Sequence, residues 1–336
     1  MTEKLRWGVL STANIGRVAV NPAIRISSNG VLRAVASRDA DRAREFARQH
    51  EIPVWHGSYD ALLVDETIDA IYIPLPNSMH REWCIRAAEH GKHVLCEKPL
   101  ALTAEECHEM DSAARAHRTI LMEAFMYRFH PRSQKVLELI HTGVIGEVRL
   151  IRSAFTFRLI RPDDIRLRPE LGGGALMDVG CYCVNISRTV MDTEPVEVQA
   201  FAAWHEGGVD DTLVATMRFA DGAIAQFDCS LGIERRESYE IAGTDGSLDV
   251  PRAFLPGSGD VVIHESHGRA EPRGHVVPGA NEYRLMVEHF ADCALHGRPP
   301  RYSVAEAAGN MAVIEALYRS ARDGGRPTLV SQVASV

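Results

Sequence analysis

Positive charge is in short supply in this sequence. It has 37 Lys and Arg residues against 45 Asp and Glu, a formal net charge of -8. Nucleic acids and anionic membrane surfaces select proteins with basic faces. Long apolar runs are absent too, since none approaches the roughly 18 residues needed to span a bilayer. The start of the chain lacks the basic, apolar and small-residue segments of a secretory signal. We therefore expect a cytoplasmic protein with no nucleic-acid or membrane partner.

A disulfide framework is also missing. The chain has seven cysteines, an odd number, scattered from Cys84 to Cys293. This distribution indicates reduced thiols. Cys181 and Cys183 flank Tyr182, but no second Cys or His pair stands at ligand spacing. We predict no metal site.

The fold class follows from the length and the order of elements. A chain of 336 residues, 46% hydrophobic and 24% charged, predicts a soluble globular protein with two domains. Residues 1–122 alternate short apolar strands with amphipathic helices, which predicts an α/β, Rossmann-like parallel sheet. Residues 123–336 carry longer strands joined by hairpin turns such as FADGA and GTDGS. They predict a C-terminal α/β domain with a large open, mostly antiparallel sheet, ending in helices near residues 282–296 and 303–322. The stretch 251–280, rich in Gly, Pro and His, reads as a surface excursion.

Two glycines of a dinucleotide-binding motif are absent from GVLSTANIG, residues 8–16. The motif needs glycines for a tight turn, for approach to the pyrophosphate and for close helix packing. Ser11, Ala13 and Gly16 occupy these positions. The first two are tolerable if their φ angles are negative, and the Ser11 hydroxyl could donate to a phosphate. Backbone amides at the following helix start favour an anion. Alone, the motif equally fits a strand-turn-helix that binds nothing.

The end of the second strand adds a charge signal. An NAD site carries an acidic residue there for the ribose hydroxyls. This chain has Ser37 and Arg38, followed by Arg42 one helical turn later. A hydroxyl and guanidinium groups suit a 2'-phosphate. NADP(H) is therefore favoured, while Asp39 keeps NAD(H) open and Arg42 is equally explained as a solvated helix residue.

Two further segments carry candidate chemistry. Lys98 follows an apolar strand in HVLCEKPL, at the kind of strand end where ligands bind in open α/β sheets. Asp178 and Tyr182 stand four residues apart in GGGALMDVGCYCVN, which predicts one helix face. A tyrosine has a pKa near 10, and a neighbouring cation favours its phenolate. The pair could therefore transfer a proton. The alternatives are a surface lysine and a packed core tyrosine.

Taken together, these motifs resemble the Gfo/Idh/MocA oxidoreductase family over nearly the whole chain. They are the N-terminal loop, NSMH at 77–80, EKP at 97–99, EAFMYRFHP at 123–131 and GGGALMDVG at 172–180. Many members have histidine where this chain has Tyr182. The tyrosine resembles the branch that contains glucose-fructose oxidoreductase, NADP-dependent D-xylose dehydrogenase and dimeric dihydrodiol dehydrogenase.

The resemblance implies roles for individual residues. Lys98 and Tyr182 would be catalytic. Asp178, Arg128 and Arg166 would meet the substrate, although the segment around Arg128 could simply open the next helix. Tyr283 would touch the cofactor or pack at a helix start. Together with the loop argument, the predicted cofactor residues are Ser11, Thr12, Ala13, Asn14, Ile15, Ser37, Arg38, Arg42, Pro74, Leu75, Pro76, Asn77, His80, Glu97, Lys98, Ile165, Arg166 and Tyr283.

The expected function is an NADP-dependent oxidoreductase acting on the CH-OH group of a sugar or polyol. One alternative is a trans-dihydrodiol dehydrogenase, for which a flatter and more apolar substrate wall is expected. The other is a non-catalytic NADP-binding sensor, which would need none of Lys98, Asp178 and Tyr182. The resemblance also implies a homo-oligomer, a dimer or tetramer, formed through the C-terminal sheet.

Overall fold

The computed structural model describes residues 4–331, which form two compact units. One contains the residues up to 126 together with 281–308, and the other contains 127–280 and the residues from 309 on. The sequence-based division assigned everything after 122 to the second domain. The structure differs because the 281–308 segment packs with the first unit: the Phe290 ring lies 5.0 Å from that of Trp7, and Asn29 Nδ2 donates to the Glu288 carbonyl at 2.9 Å.

The first unit is built on a six-stranded parallel sheet of order β3-β2-β1-β4-β5-β6. β4 is buried at every position, which is typical of a parallel strand covered on both faces. The order changes direction between β1 and β4, the point where open α/β sheets bind ligands. The strands are β1 (Leu5–Leu10), β2 (Gly30–Ala36), β3 (Val54–His56), β4 (Ala70–Ile73), β5 (His93–Cys96) and β6 (Leu121–Glu123).

Six helices accompany this sheet. In α2 the side chains of Ala43, Phe46 and Ala47 are buried, and the Asp39 side chain caps the helix by accepting from the Arg42 amide. The helices are α1 (Asn21–Ile26), α2 (Ala40–Gln49), α3 (Tyr59–Leu63), α4 (His80–Glu89), α5 (Ala104–Ala116) and, later in the chain, α8 (Glu282–His296).

The second unit is built on a nine-stranded sheet of order β14-β13-β12-β11-β7-β10-β9-β8-β15. Within the described part of this sheet only β7 and β10 pair in parallel, so the sheet is mostly antiparallel as predicted. The strands are β7 (Val148–Thr156), β8 (Glu197–Trp204), β9 (Asp210–Arg218), β10 (Ile224–Ser230), β11 (Arg236–Gly243), β12 (Ser247–Pro251), β13 (Val261–Ser266), β14 (Arg273–Val277) and β15 (Thr328–Leu329). Its helices are α6 (Pro131–His141), α7 (Cys181–Met191) and most of α9 (Val304–Arg322).

The prediction of a surface excursion at 251–280 is wrong. This stretch contributes β13 and β14 to the sheet, and Val261, Ile263 and Glu265 alternate inward along β13. Phe254, just before β13, is completely buried. The turn residues that suggested a loop lie between and beside these short strands. The period-2 alternation within VVIHES was the signal that could have identified β13.

Candidate active site

The loop after β1 takes a different path from the one its sequence suggests. Ser11 has φ of 122°, a conformation that favours glycine, so the expected negative φ is wrong at this position. Its hydroxyl accepts from the Ala13 amide at 3.1 Å and donates to the Pro74 carbonyl at 3.3 Å, so in this structure its hydrogen is directed at the protein. Ala13 is not among the positive-φ residues, as the motif argument required.

Gly16 begins a single wide turn, Gly16–Val20, that leads into α1. A Cβ at Gly16 would meet Asn21 Oδ1 at 3.5 Å and Tyr72 Cε1 at 3.6 Å, which is ordinary contact. The predicted role of this glycine in very close helix packing is therefore wrong. The Arg17 amide closes the first turn on the Ala13 carbonyl at 3.1 Å, and amides in a first helical turn have no acceptor one turn earlier. Thr12, Asn14 and Ile15 lie in this anion-attracting stretch.

The end of β2 places two cations beside a phenol that sequence reasoning missed. Arg38 and Arg42 are exposed, and the charges of both act on the Tyr59 phenol. Burial raises the pKa of Tyr59, while these two arginines oppose the rise. The Ser37 hydroxyl is buried and accepts from the Asp39 amide at 3.2 Å. In the sequence, only the position of Tyr59 shortly after the short strand β3 could have indicated that it lies near these arginines.

The acidic side chain at this strand end is already engaged. Asp39 Oδ1 accepts from the Arg42 amide at 3.0 Å as the cap of α2. An acidic residue that reads ribose hydroxyls would compete with that cap. The two guanidinium groups and the engaged carboxylate fit a 2'-phosphate better than an unmodified ribose.

The ends of β4 and β5 are tied together by hydrogen bonds. Glu97 accepts from the Tyr72 hydroxyl at 2.6 Å, and burial and the Glu97 charge raise the pKa of Tyr72 well above its ordinary value. The Tyr283 phenol contributes to the same rise in the pKa of Tyr72. Lys98 is half-buried and precedes Pro99 through a cis peptide bond.

His80 bridges the two loops that contain predicted cofactor residues. Its Nδ1 lies 3.0 Å from the Pro99 carbonyl oxygen and its Nε2 lies 3.0 Å from that of Leu75. The ring is completely buried, and burial lowers the pKa of His80. His80 therefore holds the loop of Pro74, Leu75, Pro76 and Asn77 to the residues after β5, and its part in binding the cofactor stays a prediction.

In the second unit, a wide turn at Leu176–Gly180 leads into α7, which carries Tyr182. Asp178 lies within this turn and Tyr182 lies in the first turn of α7, so the shared face predicted for the two side chains stays a prediction. Arg166 Nε donates to Asp178 Oδ2 at 2.6 Å, and Arg166 NH1 donates to Asp164 Oδ1 at 3.1 Å. The Asp178 charge raises the pKa of Arg166 above its ordinary range. Ile165, beside it, is 46% exposed.

Glycine before this turn allows close approach of another side chain. Gly174 has φ of 120°, and a Cβ there would stand 2.1 Å from Asp210 Oδ1. Asp210 is buried and accepts from the Leu176 amide at 2.7 Å and from the Tyr318 hydroxyl at 2.7 Å. Burial raises the pKa of Asp210 to about 6. Sequence reasoning missed Asp210 because nothing in a strand sequence reveals that it caps a distant helix.

Aromatic rings surround Tyr182. The ring centres of Phe254, Phe155 and Tyr127 lie 5.2, 5.3 and 5.7 Å from that of Tyr182, which is 5% exposed. The Tyr127 hydroxyl donates to Asn185 Oδ1 at 2.6 Å. The neighbouring Arg128 is buried. Tyr182 is thus a packed aromatic residue as well as a candidate acid or base.

The cysteines and acidic side chains bear on other classes of site. All seven cysteines are buried thiols. Between residues 4 and 331, no group of three or more His, Cys, Asp or Glu side chains could hold a metal ion. None of the helices in that range has the length and apolar character to cross a membrane.

Two family models match the chain. The model of the oxidoreductase family with an NAD-binding Rossmann fold matches residues 5–125, and the GFO/IDH/MocA C-terminal domain model matches residues 133–249. The resemblance inferred from the motifs is confirmed, as is the fold class.

Individual relatives cover almost the whole chain. It is 38% identical over 323 residues to D-xylose 1-dehydrogenase (NADP(+)) 2 of Haloferax volcanii, covering 95% of this chain and 98% of the relative. It is 32% identical over 312 residues to trans-1,2-dihydrobenzene-1,2-diol dehydrogenase of Xenopus laevis, covering 90% and 93%. A 3-ketoreductase from Actinomadura kijaniata, solved in complex with NADP and TDP-benzene, matches with a TM-score of 0.90 at 29% identity, covering 95% and 98%.

Proposed function

The chain belongs to the GFO/IDH/MocA family of oxidoreductases, and on this premise we propose that it is an NADP-dependent dehydrogenase of a sugar or polyol. The observation that carries the proposal is the pairing of a phenol with an anchored carboxylate at the start of one helix. Tyr182 supplies the phenol, and Asp178 is held by Arg166 at 2.6 Å. A sugar offers adjacent hydroxyl groups to both.

The preference for NADP rests on the residues after β2. The charges of Arg38 and Arg42 act on the Tyr59 phenol, and Asp39 is engaged as a helix cap. Guanidinium groups bind phosphate through paired hydrogen bonds, which ribose hydroxyls do not offer. The Haloferax relative is named as an NADP(+) enzyme, and the ketoreductase was solved with NADP. Ser37 and the loop residues 11–15 would complete this cofactor site.

The proposed mechanism divides the work among three side chains. Bound NADP+ supplies the hydride acceptor. Tyr182 takes the proton of the substrate hydroxyl. Lys98 is the other residue that the family resemblance makes catalytic, and a cation of its kind favours a phenolate. Asp178, held by Arg166, accepts a hydrogen bond from a neighbouring hydroxyl group of the substrate. Solved variants of the ketoreductase include a tyrosine-to-phenylalanine and a lysine-to-alanine replacement, the same residue types as this pair.

A second substrate class has an observation in its favour. Aromatic rings pack around Tyr182, and Ile165 and Ile160 are 46% and 81% exposed on the segment that carries Arg166. An apolar surface of this kind suits an aromatic diol, the substrate in the name of the Xenopus relative. Asp178 and Arg166 favour the more hydroxylated substrate, so we place the sugar first.

A substrate panel tests the proposal. NADPH formation is followed at 340 nm with D-xylose, other aldoses, polyols and a trans-dihydrodiol, each with NADP+ and with NAD+. We expect turnover of an aldose with a higher kcat/KM for NADP+ than for NAD+. Turnover of the dihydrodiol alone would favour the second class, and tight NADPH binding without turnover of any compound would support a redox sensor. The variant Arg38→Gln should raise the KM for NADP+ and leave that for NAD+ unchanged.

We also propose a homodimer or dimer of dimers formed through the sheet of the second unit. Phe201, Val214 and Trp204 on β8 and β9 are 60%, 53% and 41% exposed. Exposed apolar patches on a sheet mark association surfaces.

A further inference from the structure

The chain between β12 and β13 is held from its carbonyl side by one buried arginine. Arg132, in the first turn of α6, is 1% exposed. Its NH1 donates to the Pro251 carbonyl at 2.9 Å, and its NH2 donates to the carbonyls of Arg252 and Ala253 at 2.7 Å each. Arg252 has φ of 50°, so the chain makes a sharp bend at this point. We call Pro251–Leu255 the clamped segment.

The amide side of the clamped segment is held by Glu237 on β11. Its Oε1 accepts from the Phe254 amide at 3.2 Å and also from the Leu255 amide, and its own carbonyl accepts from the Ala253 amide at 3.1 Å. Arg235 pairs with the other carboxylate oxygen. Hydrogen bonds from charged groups are stronger than those between neutral groups. Opposite charges therefore fix this short segment from both sides.

The residue that this arrangement places is Phe254. Its ring is completely buried and stacks on Phe155 at 5.2 Å with an interplanar angle of 11°. It lies 5.2 Å from the Tyr182 ring and 5.4 Å from the Tyr127 ring, edge to face with the latter. Phe254 is thus in ring contact with all the other members of the aromatic cluster around Tyr182 described above.

Burying an arginine to hold a loop contributes little net stability. Taking a guanidinium out of water carries a large desolvation cost, and apolar packing of similar volume often serves stability as well. A charged fork that binds three consecutive carbonyl groups does what apolar packing cannot, because it fixes backbone position and direction. The element so fixed ends at the ring that packs on Tyr182.

We propose that Arg132 is a positioning residue for proton transfer: it fixes the clamped segment, which sets Phe254 against Tyr182 and so sets the position of the phenol. The inference rests on the proposed function only in taking Tyr182 as the acid or base. A displacement of about 1 Å in a reacting group can lower a rate about 100-fold.

The first test is a kinetic cycle with D-xylose and NADP+ as the probes. We expect Arg132→Gln to lower kcat about 10- to 100-fold while the dissociation constant for NADPH is unchanged. Arg132→Lys should recover part of the loss, because an ammonium also donates to carbonyl oxygens. Phe254→Leu leaves the clamp and removes the ring, and should lower kcat as well. The matched control is Arg188→Gln, which removes another buried, paired arginine of the same unit.

The decisive comparison is made in the Tyr182→Phe background. If Arg132 acts through the phenol, Arg132→Gln has almost no further effect once the hydroxyl is gone. Equal fold-losses of kcat in both backgrounds, or an equal loss in Arg188→Gln, would overturn the inference.

A spectroscopic test is independent of turnover. With 3-fluorotyrosine at position 182, the 19F resonance should shift or broaden in Arg132→Gln and Phe254→Leu and stay unchanged in Arg188→Gln. An unchanged resonance in folded Arg132→Gln would contradict the inference. If Arg132→Gln does not fold, Arg132→Lys and Phe254→Leu carry the same test. If Tyr182→Phe keeps full turnover while the resonance still responds, the proposed function fails and the positioning of the ring stands.

Discussion

Replacing Tyr182 by phenylalanine removes one oxygen and leaves the ring among Phe155, Phe254 and Tyr127. Because proton transfer by a placed side chain contributes about 10²- to 10⁴-fold, we expect Tyr182→Phe to lower kcat by that factor. Cofactor affinity should be unchanged, since the predicted cofactor residues other than Ile165 and Arg166 lie in the first unit. Steady-state kinetics and fluorescence titration with NADPH measure the two quantities. Wild-type turnover in the variant would remove Tyr182 from the mechanism.

Ser11 combines an unfavourable backbone angle with two hydrogen bonds. Ser11→Ala removes the hydroxyl and keeps the strain, whereas Ser11→Gly removes both. Strain at positive φ costs about 1–3 kcal/mol, and this gain is partly offset because glycine has more freedom in the unfolded chain. We therefore expect the free energy of unfolding of Ser11→Gly to exceed that of Ser11→Ala by about 1 kcal/mol. Urea unfolding of the two variants measures the difference. Equal stabilities would mean that the loop relaxes around Ser11.

At the scale of single residues, the sequence predicted which residues lie at the candidate site better than it predicted their hydrogen-bond partners. The hydroxyl of Ser11, the engaged carboxylate of Asp39 and the buried ring of His80 each bind backbone groups of the protein itself. Such bonds depend on which loops meet. A motif gives the spacing of residues along the chain, and the neighbours of a loop are set by packing of elements far away in sequence.

At the scale of elements, we predict that the stability contributed by the start of the helix that carries Tyr182 depends on pH. Asp210 caps it, and burial raises the pKa of Asp210 from 3.8 to about 6. The folded protein therefore holds this proton between about pH 4 and 6, where the unfolded chain releases it, and stability from this group falls as pH rises through that window. The total change is up to about 3 kcal/mol.

Asp210→Asn tests this account. The stability of wild type minus that of the variant should fall between pH 4 and 6.5 and stay constant above it. Above pH 6.5 the variant should also be the less stable protein, because an amide nitrogen would face one of the two donors, Leu176 N and Tyr318 OH. Urea unfolding across the pH range measures both. A difference independent of pH would show that Asp210 is ionised throughout.

Elements with a strong period were predictable and those with weak periods were not. The helix at 282–296 matches the expected bounds. The wide turns before α1 and α7 were missed, because one extra residue in a turn leaves the apolar pattern intact. β13 and β14 were missed because flanking Gly and Pro residues outweighed a short alternation.

At the scale of the whole molecule, the exposed apolar residues of β8 and β9 predict association with a second copy of the chain. We expect the wild type to sediment as a dimer or tetramer at micromolar concentration. Phe201→Glu combined with Val214→Glu should lower the measured mass, because charges on an apolar interface oppose association. Val64→Glu, at a 63% exposed position of the first unit, is the control. A wild-type monomer would refute the proposed assembly.

The seven buried thiols give the protein its own reporters of opening. Cys84, Cys96, Cys107 and Cys293 lie in the first unit, and Cys181, Cys183 and Cys229 lie in the second. A buried thiol reacts with an alkylating reagent only when its surroundings open. Mass spectrometry of the labelled peptides therefore measures the local opening of each unit separately in the protein without substitutions. It also shows in which unit a bound nucleotide or substrate protects the thiols from alkylation.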